Sequence, residues 1–280
     1  MSVGGAPSSG NRIKSPDGLE RVRLFGLDFV DAASLDTVIE RIEDPPPASS
    51  TPAAPTVVVT PNVDQLVQLE RKTDARSERL THNAQIVLPD GQPIVWASRW
   101  LRAPLQARLT GSSLVARLWP RLVDSGRRCV VVASSERIAD RVRAEGPNCH
   151  ALVAPMLRVE DRTGFETFVD RCAELIEATN AEFVFVCLGF PKQNHLIAGL
   201  LERSPVVAPT FLAVGASFDL HFGHVRRAPV WIQRVGMEWA FRFVQEPRRL
   251  FRRYFIDDPA FILMVGRESR RRRVAGDVRP

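Results

Sequence analysis

The sequence predicts an α/β fold with a Rossmann-like parallel sheet flanked by helices, followed by a basic amphipathic helical appendage at the C-terminus. Short apolar runs rich in valine recur along the 280 residues, and a segment with helical periodicity follows most of them. These runs do not alternate with polar residues, which is typical of strands buried on both faces of a parallel sheet. With 280 residues, of which 45% are apolar, the chain can bury a large hydrophobic core and is expected to fold unaided.

The N-terminal part divides into a leader and the first elements of the core. Residues 1–20 are expected to form a disordered leader, and residues 21–225 are expected to form a Rossmann-like core. The core begins with the strand-like segment RVRLFGLDF and the helix-like segment SLDTVIERIED. A linker rich in proline, serine and alanine follows at residues 44–55 and is expected to be a flexible loop.

The remaining core consists of predicted strand and helix pairs. In chain order these are TVVVT with NVDQLVQLERK, AQIVLPDG with PIVWASRWL, CVVVAS with ERIADRVRAE, EFVFVCLG with KQNHLIAGLLE, and a last strand, TFLAVG. The alternation indicates βαβ units with parallel strands. Ligands of such sheets bind beyond the carboxyl ends of the strands, so the residues that follow each strand are the candidates for chemistry.

Cysteine spacing and hydropathy exclude several classes of protein. The four cysteines are far apart with no Cys-x-x-Cys pair, so they are expected to be reduced, mostly buried thiols rather than zinc ligands or disulfides: Cys129, Cys149, Cys172 and Cys187. The first twenty residues lack the apolar core of a signal peptide, and no run of about eighteen apolar residues occurs. We therefore expect a cytoplasmic protein that does not span a membrane.

The basic character of the chain is concentrated at its C-terminal end. From Arg226 onward there are fourteen arginines and six acidic residues, so the rest of the chain is slightly acidic although the total charge is +6. Residues 226–266 are expected to form a membrane-associating segment, and residues 267–280 a disordered arginine-rich tail. On a helical wheel, arginines and apolar residues occupy opposite sectors: Arg248, Arg249, Arg252 and Arg253 against Leu250, Phe251, Tyr254 and Phe255.

Two interpretations of this segment remain open at this stage. It is either a C-terminal helix docked on the core or a basic amphipathic helix that lies on anionic lipid. Under the second interpretation, the body of the protein is expected to fold without the residues from about 247 onward.

Polar residues that follow the predicted strands each allow a structural and a functional interpretation. Asn62 either caps the next helix, with Gln65 completing a capping box, or also lines a site. Asp90 is a turn residue beside Gly91, a cap for the helix that starts near Pro93, or a general base.

Two further segments follow the same pattern. In RLTGSS, the residues Arg108, Thr110 and Gly111 precede a helix, and form either an ordinary helix cap with a surface arginine or an anion site. In LGFPKQNH, Gly189 makes a turn, and Lys192 and Gln193 open a helix.

Taken together, six segments resemble the WecG/TagA/CpsF family of bacterial glycosyltransferases over about residues 21–256. They are TPNVDQL, LPDGQPIVW, RLTGSSL, LGFPKQN, AVGASFD and RRAPVWIQRVGMEWAFRFVQEPRRLFRRY. The resemblance implies inverting transfer of a hexose or N-acetylhexosamine from a UDP-sugar to an undecaprenyl-diphosphate-linked acceptor, for a cell-surface polysaccharide or exopolysaccharide. N-acetylmannosamine is the best-known donor sugar of that family. It also implies a location at the cytoplasmic membrane face, with an anionic membrane surface as partner and no nucleic acid.

The resemblance also implies roles for individual residues. Asp90 corresponds to the catalytic base, Thr60 and Asn62 line the pocket beside it, Arg108 binds phosphates, and Gln193 matches another active-site position. Further candidate substrate-binding positions in these segments are Thr110, Gly111, Gly189, Lys192, Gly215, Arg227, Glu238, Arg248 and Arg252.

The chain departs from the family pattern in two places. Asn194 stands where the family usually has Glu after Pro-Lys-Gln, which opens the question of donor identity. The segment APMLRVED stands where many members carry a Gly-Tyr element.

The sequence also bears on metals and on alternative functions. No Asp-x-Asp motif is present, so we expect no metal or other cofactor, although Asp219, His221 and His224 have a metal-like spacing. A Rossmann oxidoreductase is the first alternative, but no Gly-x-Gly-x-x-Gly follows a strand. A basic nucleic-acid-binding protein is the second, but the slightly acidic body offers no extended cationic surface.

Overall fold

A computed structural model describes residues 12–15, 17–44, 55–72, 74–203, 208–223 and 259–274. The first part of the expected leader, most of the expected linker and the arginine-rich segment between residues 224 and 258 lie outside these ranges.

The described residues contain nine strands and ten helices. The strands are β1 (Arg12–Lys14), β2 (Glu20–Leu24), β3 (Leu27–Val30), β4 (Thr56–Val59), β5 (Ile86–Val87), β6 (Cys129–Ala133), β7 (Cys149–Val153), β8 (Phe183–Val186) and β9 (Thr210–Ala213). The helices are α1 (Asp36–Glu43), α2 (Val63–Glu70), α3 (Ala75–Asn83), α4 (Gln92–Trp100), α5 (Gly111–Asp124), α6 (Glu136–Ala144), α7 (Arg162–Ala178), α8 (Lys192–Glu202), α9 (Ser217–His221) and α10 (Pro259–Val274).

The strands form one mixed sheet in the order β1-β2-β3-β5-β4-β9-β8-β6-β7. From β3 to β7 all neighbouring strands are parallel, and only β1, β2 and β3 at one edge pair antiparallel. The predicted fold class, a largely parallel sheet flanked by helices with a helical C-terminal element, is confirmed.

The first predicted strand, RVRLFGLDF, is in fact a hairpin. Strands β2 and β3 pair antiparallel, and the loop between the paired residues Leu24 and Leu27 is only Phe25 and Gly26. Both loop residues have positive φ, 53° and 78°, which a two-residue turn of type I′ requires. Strand β1 pairs with β2 in turn, so the expectation of a disordered leader up to residue 20 is wrong for the described residues of that stretch.

Helices cover both faces of the sheet because successive strand residues point to opposite sides. Val57 and Val59 pack with the residues of α2, α3, α4, α7, α8 and α10. Val58 packs on the other side with those of α1, α5, α6 and α9, where the buried Trp119 ring contacts the rings of Phe185 and Phe218. Each face therefore has its own hydrophobic core.

The C-terminal helix α10 is part of the first of these cores. Phe261, Met264 and Val265 are buried, and the Phe261 ring lies 5.4 Å from the ring of Phe25 in the hairpin turn. The buried Arg272 guanidinium donates to the carbonyl of Arg23 and to Glu268 Oε1. Residues 267–274 are thus helical, and the expectation of a disordered tail from residue 267 is wrong for them.

All four cysteines are reduced and buried, as the sequence predicted. Burial raises the pKa of Cys172 to about 12 and raises the pKa of Cys129 and Cys187 further above its ordinary range. Thiols with such pKa values are protonated at neutral pH and are poor nucleophiles or metal ligands. They serve as small apolar core residues.

Candidate active site

Four of the candidate segments meet at one edge of the sheet. The last residues of β4, β5, β8 and β9 are in register, with Val59 paired to Val87 and Ala213, and Ala213 paired to Val186. These four strands are neighbours in the order β5-β4-β9-β8. The segments that follow them, which carry Asp90, Thr60, Gly215 and Gly189, therefore emerge side by side at the carboxyl edge.

The strand connections predict a crevice between the carboxyl ends of β4 and β9. After β4 the chain enters α2 on one face of the sheet, whereas after β9 it enters α9 on the other face. Connections that leave two adjacent parallel strands in opposite directions open a gap between them, and this is where ligands of such sheets bind. The topology places Thr60 on one side of the gap and Gly215 on the other.

Asp90 is half-buried at this edge and is held from two sides. Its backbone N–H donates to the carbonyl of Pro61 over 3.2 Å, and its Oδ2 accepts from the backbone N–H of Gly111 over 3.2 Å. Gly91, not Asp90, is the residue before α4, and that helix end has no side-chain cap. The interpretation of Asp90 as a helix cap is therefore wrong, and its carboxylate faces the first turn of α5.

The first turn of α5 packs tightly against the crevice. Thr110 caps the helix by accepting from the N–H of Ser113, and Gly111 is its first residue. A Cβ on Gly111 would lie 3.0 Å from Thr60 Oγ1 and 3.2 Å from Ser217 Oγ, which is closer than ordinary contacts. Thr60 Oγ1 also donates to the carbonyl of Ala213 over 3.2 Å. Three strand ends and one helix N-terminus thus meet around Gly111.

We expect Gly111→Ala to lower turnover by about tenfold to a hundredfold, because the added methyl crowds Thr60 and Ser217 and pushes the first turn of α5, with the Gly111 N–H, away from Asp90. Gly146→Ala is the matched control, since a Cβ there would meet no atom within 4 Å and the residue precedes β7, at the opposite edge of the sheet from the crevice. Initial rates and thermal midpoints of both variants provide the measurement. Equal rates for the two variants would contradict the tight approach at Gly111.

Asn62 has the structural role that the sequence allowed. It precedes α2 with extended backbone, and its Oδ1 accepts from the N–H of Gln65 over 3.1 Å. The cap fixes the start of α2 two residues after Thr60. Asn62 therefore shapes the wall of the crevice by positioning this turn.

Gln193 is buried beside the crevice, on the first turn of α8. Its side chain is 2% exposed, and its Oε1 has no hydrogen-bond partner among the described residues. This oxygen lies 3.9 Å from the position of a Cβ on Gly215, a residue whose φ of 53° favours glycine. Buried acceptors without a partner are rare in folded proteins, so Gln193 Oε1 is suited to receive a hydrogen bond from a ligand. Lys192 starts the same helix, and Gly189 lies exposed in the turn before it.

Asn194, which departs from the family pattern, points away from the crevice. Its Nδ2 donates to Thr81 Oγ1 over 3.0 Å and to the carbonyl of Ser77, both on α3. In this structure, Asn194 therefore packs α8 against α3, and its side chain does not face the crevice where a donor sugar would bind.

The next residue on α8, His195, strengthens the contact between α8 and α3. His195 Nε2 lies 2.7 Å from Asp74 Oδ2, and Asp74 caps α3. Burial alone would raise the pKa of Asp74, but hydrogen bonds from Ser77 and His195 lower it below its usual value. These polar contacts with α3 hold α8, the helix that carries Gln193, in place.

Arg108 lies in the segment that leads into α5. The next residue, Leu109, donates from its N–H to the carbonyl of Pro89 over 3.1 Å, which ties this segment to the end of β5. Arg108 is half-buried and lies two residues before the cap Thr110. Four other predicted binding residues lie outside the described residues: Arg227, Glu238, Arg248 and Arg252.

The metal-like cluster is only partly described. Among the described residues no group of three His, Cys, Asp or Glu side chains could hold a metal ion, and His224 lies outside them. Burial lowers the pKa of His221, with Arg141 adding to the effect and Glu145 opposing it. His221 packs its ring against Phe218 and Phe222, in agreement with local packing.

Ser217 is a residue at the crevice that the sequence analysis did not single out. It is 4% exposed, donates to the carbonyl of Val214 and lies against Gly111. The signal was present, because Ser217 belongs to the segment AVGASFD, but its position against α5 follows only from the fold.

Comparison with known proteins places the chain among glycosyltransferases. Residues 22–275 match the model of the glycosyl transferase WecG/TagA/CpsF family. The chain is 27% identical over 248 residues to an N-acetylglucosaminyldiphosphoundecaprenol N-acetyl-beta-D-mannosaminyltransferase of Bacillus spizizenii, covering 87% of this chain and 90% of that protein. It is 28% identical over 195 residues to a protein of the same name from Bacillus subtilis, covering 68% and 72%.

Proposed function

This chain belongs to the WecG/TagA/CpsF family of glycosyltransferases, and from that premise we propose that it transfers N-acetylmannosamine or a related hexosamine from a UDP-sugar to a polyprenyl-diphosphate-linked acceptor. The names of the two Bacillus relatives suggest the sugar and N-acetylglucosaminyl diphosphoundecaprenol as the acceptor. The product would serve the synthesis of a cell-surface polysaccharide. The match gives no support to the alternatives of an oxidoreductase or a nucleic-acid-binding protein.

The observation that carries the proposal is the carboxylate of Asp90 at the carboxyl edge of the sheet, hydrogen-bonded to Gly111 at the start of α5. An inverting transfer needs a base that takes the proton from the acceptor hydroxyl while the hydroxyl oxygen attacks the anomeric carbon of the donor sugar. Asp90 has the chemistry for this step, and the N–H of Gly111 orients its carboxylate. The bond between the anomeric carbon and the UDP oxygen breaks as the new glycosidic bond forms.

The departing diphosphate requires positive counter-charge. The N-terminus of the fourteen-residue helix α5 carries the positive end of a helix dipole, and Arg108 lies on the segment just before it. Gln193 Oε1 is available to accept from a hydroxyl or amide of the donor sugar. We assign to Arg227, Arg248 and Arg252 the role of further phosphate ligands.

We also propose that the protein works at the cytoplasmic face of the membrane as a peripheral protein. None of the helices in the described part of the chain is long and apolar enough to cross a bilayer. A polyprenyl acceptor is anchored in the lipid, so the enzyme must reach it from the surface. The excess of arginine after residue 226 fits attraction to anionic lipid.

Transfer assays with a panel of UDP-sugars and a synthetic N-acetylglucosaminyl diphosphate lipid test this proposal. We expect transfer from UDP-N-acetylmannosamine, and nearly unchanged initial rates with EDTA because the sequence has no Asp-x-Asp motif for a donor-bound metal. Binding of NAD in preference to UDP in a thermal-shift assay would reject the proposal. A strict need for magnesium or manganese would reject only the metal-independent form of it.

A further inference from the structure

The outer face of α4 exposes two large aromatic side chains next to the active-site crevice. Trp96 is 50% exposed and Trp100 is 63% exposed, although Ile94, Ala97 and Leu101 of the same region are buried. The two tryptophans are four residues apart, so they lie one turn apart on the same side of the helix. Tryptophan is usually highly buried, so two adjacent exposed rings indicate an interaction surface.

This face is close to the catalytic residues. Helix α4 begins at Gln92, two residues after Asp90. At 1.5 Å per residue, Trp96 and Trp100 lie about 6 and 12 Å along the axis from the start of the helix. Helical side chains lean toward the N-terminus, so both rings are directed toward the crevice end of the helix.

The charge on the face favours an anionic partner. Arg99 and Arg102 are exposed beside the tryptophans, and residues 91–102 contain no acidic side chain. A tryptophan ring with its polar N–H, placed among arginines, is the combination found at the boundary between lipid tails and headgroups.

A second helix on the same side of the sheet has a similar outer surface. Helices α4 and α10 pack into the same hydrophobic core, so their outer faces both point away from the same face of the sheet. On α10 the exposed residues include Ile262, Leu263, Arg267 and Arg270. This layer therefore carries most of the large apolar side chains that are exposed in the described part of the chain.

A second copy of the chain fits this face less well. In a two-fold symmetric contact the same patch meets itself. Arg99 would then approach its own copy, with no acidic residue on α4 to neutralise it. An anionic lipid surface has the complementary charge.

We propose that the Trp96, Arg99 and Trp100 face of α4 rests in the headgroup region of an anionic bilayer, with the crevice about a nanometre away along the helix axis. The role of this contact in presenting a lipid-linked diphosphate rests on the proposed function, whereas the contact itself does not. The proposed contact uses residues of α4 and none of those after residue 226.

The test compares the full chain with the double variant W96Q/W100Q and with R99Q in sedimentation with vesicles of equimolar phosphatidylcholine and phosphatidylglycerol. We expect W96Q/W100Q to bind these vesicles at least about tenfold more weakly, with little dependence of that loss on salt, because it removes apolar burial. R99Q should weaken binding about fivefold at low salt and less at high salt. I13Q removes an exposed apolar residue from the edge strand β1 and should retain full binding.

Full vesicle binding by W96Q/W100Q, with an unchanged thermal midpoint, would overturn the proposal. So would light scattering that finds a dimer of the full chain and a monomer of the double variant, because the face would then join two copies. Loss of vesicle binding by a folded double variant supports the proposal, even if the full chain transfers no sugar in any assay. In that last case the proposed function fails and the membrane contact stands.

Discussion

Replacing Asp90 by Asn is expected to lower turnover by about 10² or more while binding of UDP changes little. The amide keeps an oxygen that can accept the N–H of Gly111, so the local structure is retained and only the basicity is removed. A loss of 10² corresponds to about 2.7 kcal/mol of transition-state stabilisation. Initial rates at saturating donor and acceptor, with UDP affinity from calorimetry, separate the loss of the base from a loss of binding.

Asp124→Asn is the control for this experiment. Asp124 is exposed at the far end of α5, so the same chemical change there should leave turnover unaffected. Near-normal turnover of Asp90→Asn would reject Asp90 as the base. A large loss of UDP affinity would instead assign it to donor binding.

Replacing Phe261 by Ala is expected to lower the free energy of unfolding by about 3 kcal/mol. The Phe261 side chain is 6% exposed, and its ring packs against Phe25, so the change leaves a cavity between α10 and the hairpin. The thermal midpoint should fall by roughly 6 to 12 °C for a domain of this size. Ile262→Ala, one residue further along and 73% exposed, should change the midpoint little.

A midpoint for Phe261→Ala equal to that of Ile262→Ala would contradict the docking of α10.

The packing of α10 in the core also decides what a C-terminal truncation would do. The expectation that the body folds without the residues from about 247 onward disagrees with the structure, since a truncation there would remove Phe261, Met264 and Val265 from the core. Point substitutions therefore test the C-terminal segment more cleanly than deletion does.

The parallel part of the fold could be predicted because its strands are continuous apolar runs. Segments such as CVVVAS and EFVFVCLG are buried on both faces, and their short, continuous runs of β-branched and aromatic residues identify them as strands. The hairpin was missed because RVRLFGLDF has no polar turn residue, and Phe25 adopts a positive φ that an aromatic residue rarely has. Its packing against Phe261, far along the chain, favours this backbone, and no local pattern shows that contact.

The common location of Asp90 and Thr60 at one edge of the sheet was predictable from the sequence. Asp90 and Thr60 follow predicted strands, and parallel strands bring their carboxyl ends together without further information. The direction of Asn194 was not predictable, because it depends on which helix packs against α8. The apolar residues that α10 buries have helical spacing in the sequence, but the surrounding arginines suggested a disordered tail. The burial of Arg272 depends on its hydrogen bond to a carbonyl in β2.

The docking of α10 on the hairpin has a consequence for how the chain is made. The Arg272 guanidinium and the Arg23 carbonyl that it contacts are 249 residues apart in sequence. At about 5–20 residues per second, a ribosome needs roughly 12 to 50 s to extend the chain from one to the other. During that interval the apolar side of the hairpin and of α2 lacks its cover, and the nascent protein presents a surface that can aggregate or bind chaperones. Covering of this face by α10 is thus a late event in folding, although the hairpin leaves the ribosome long before that helix.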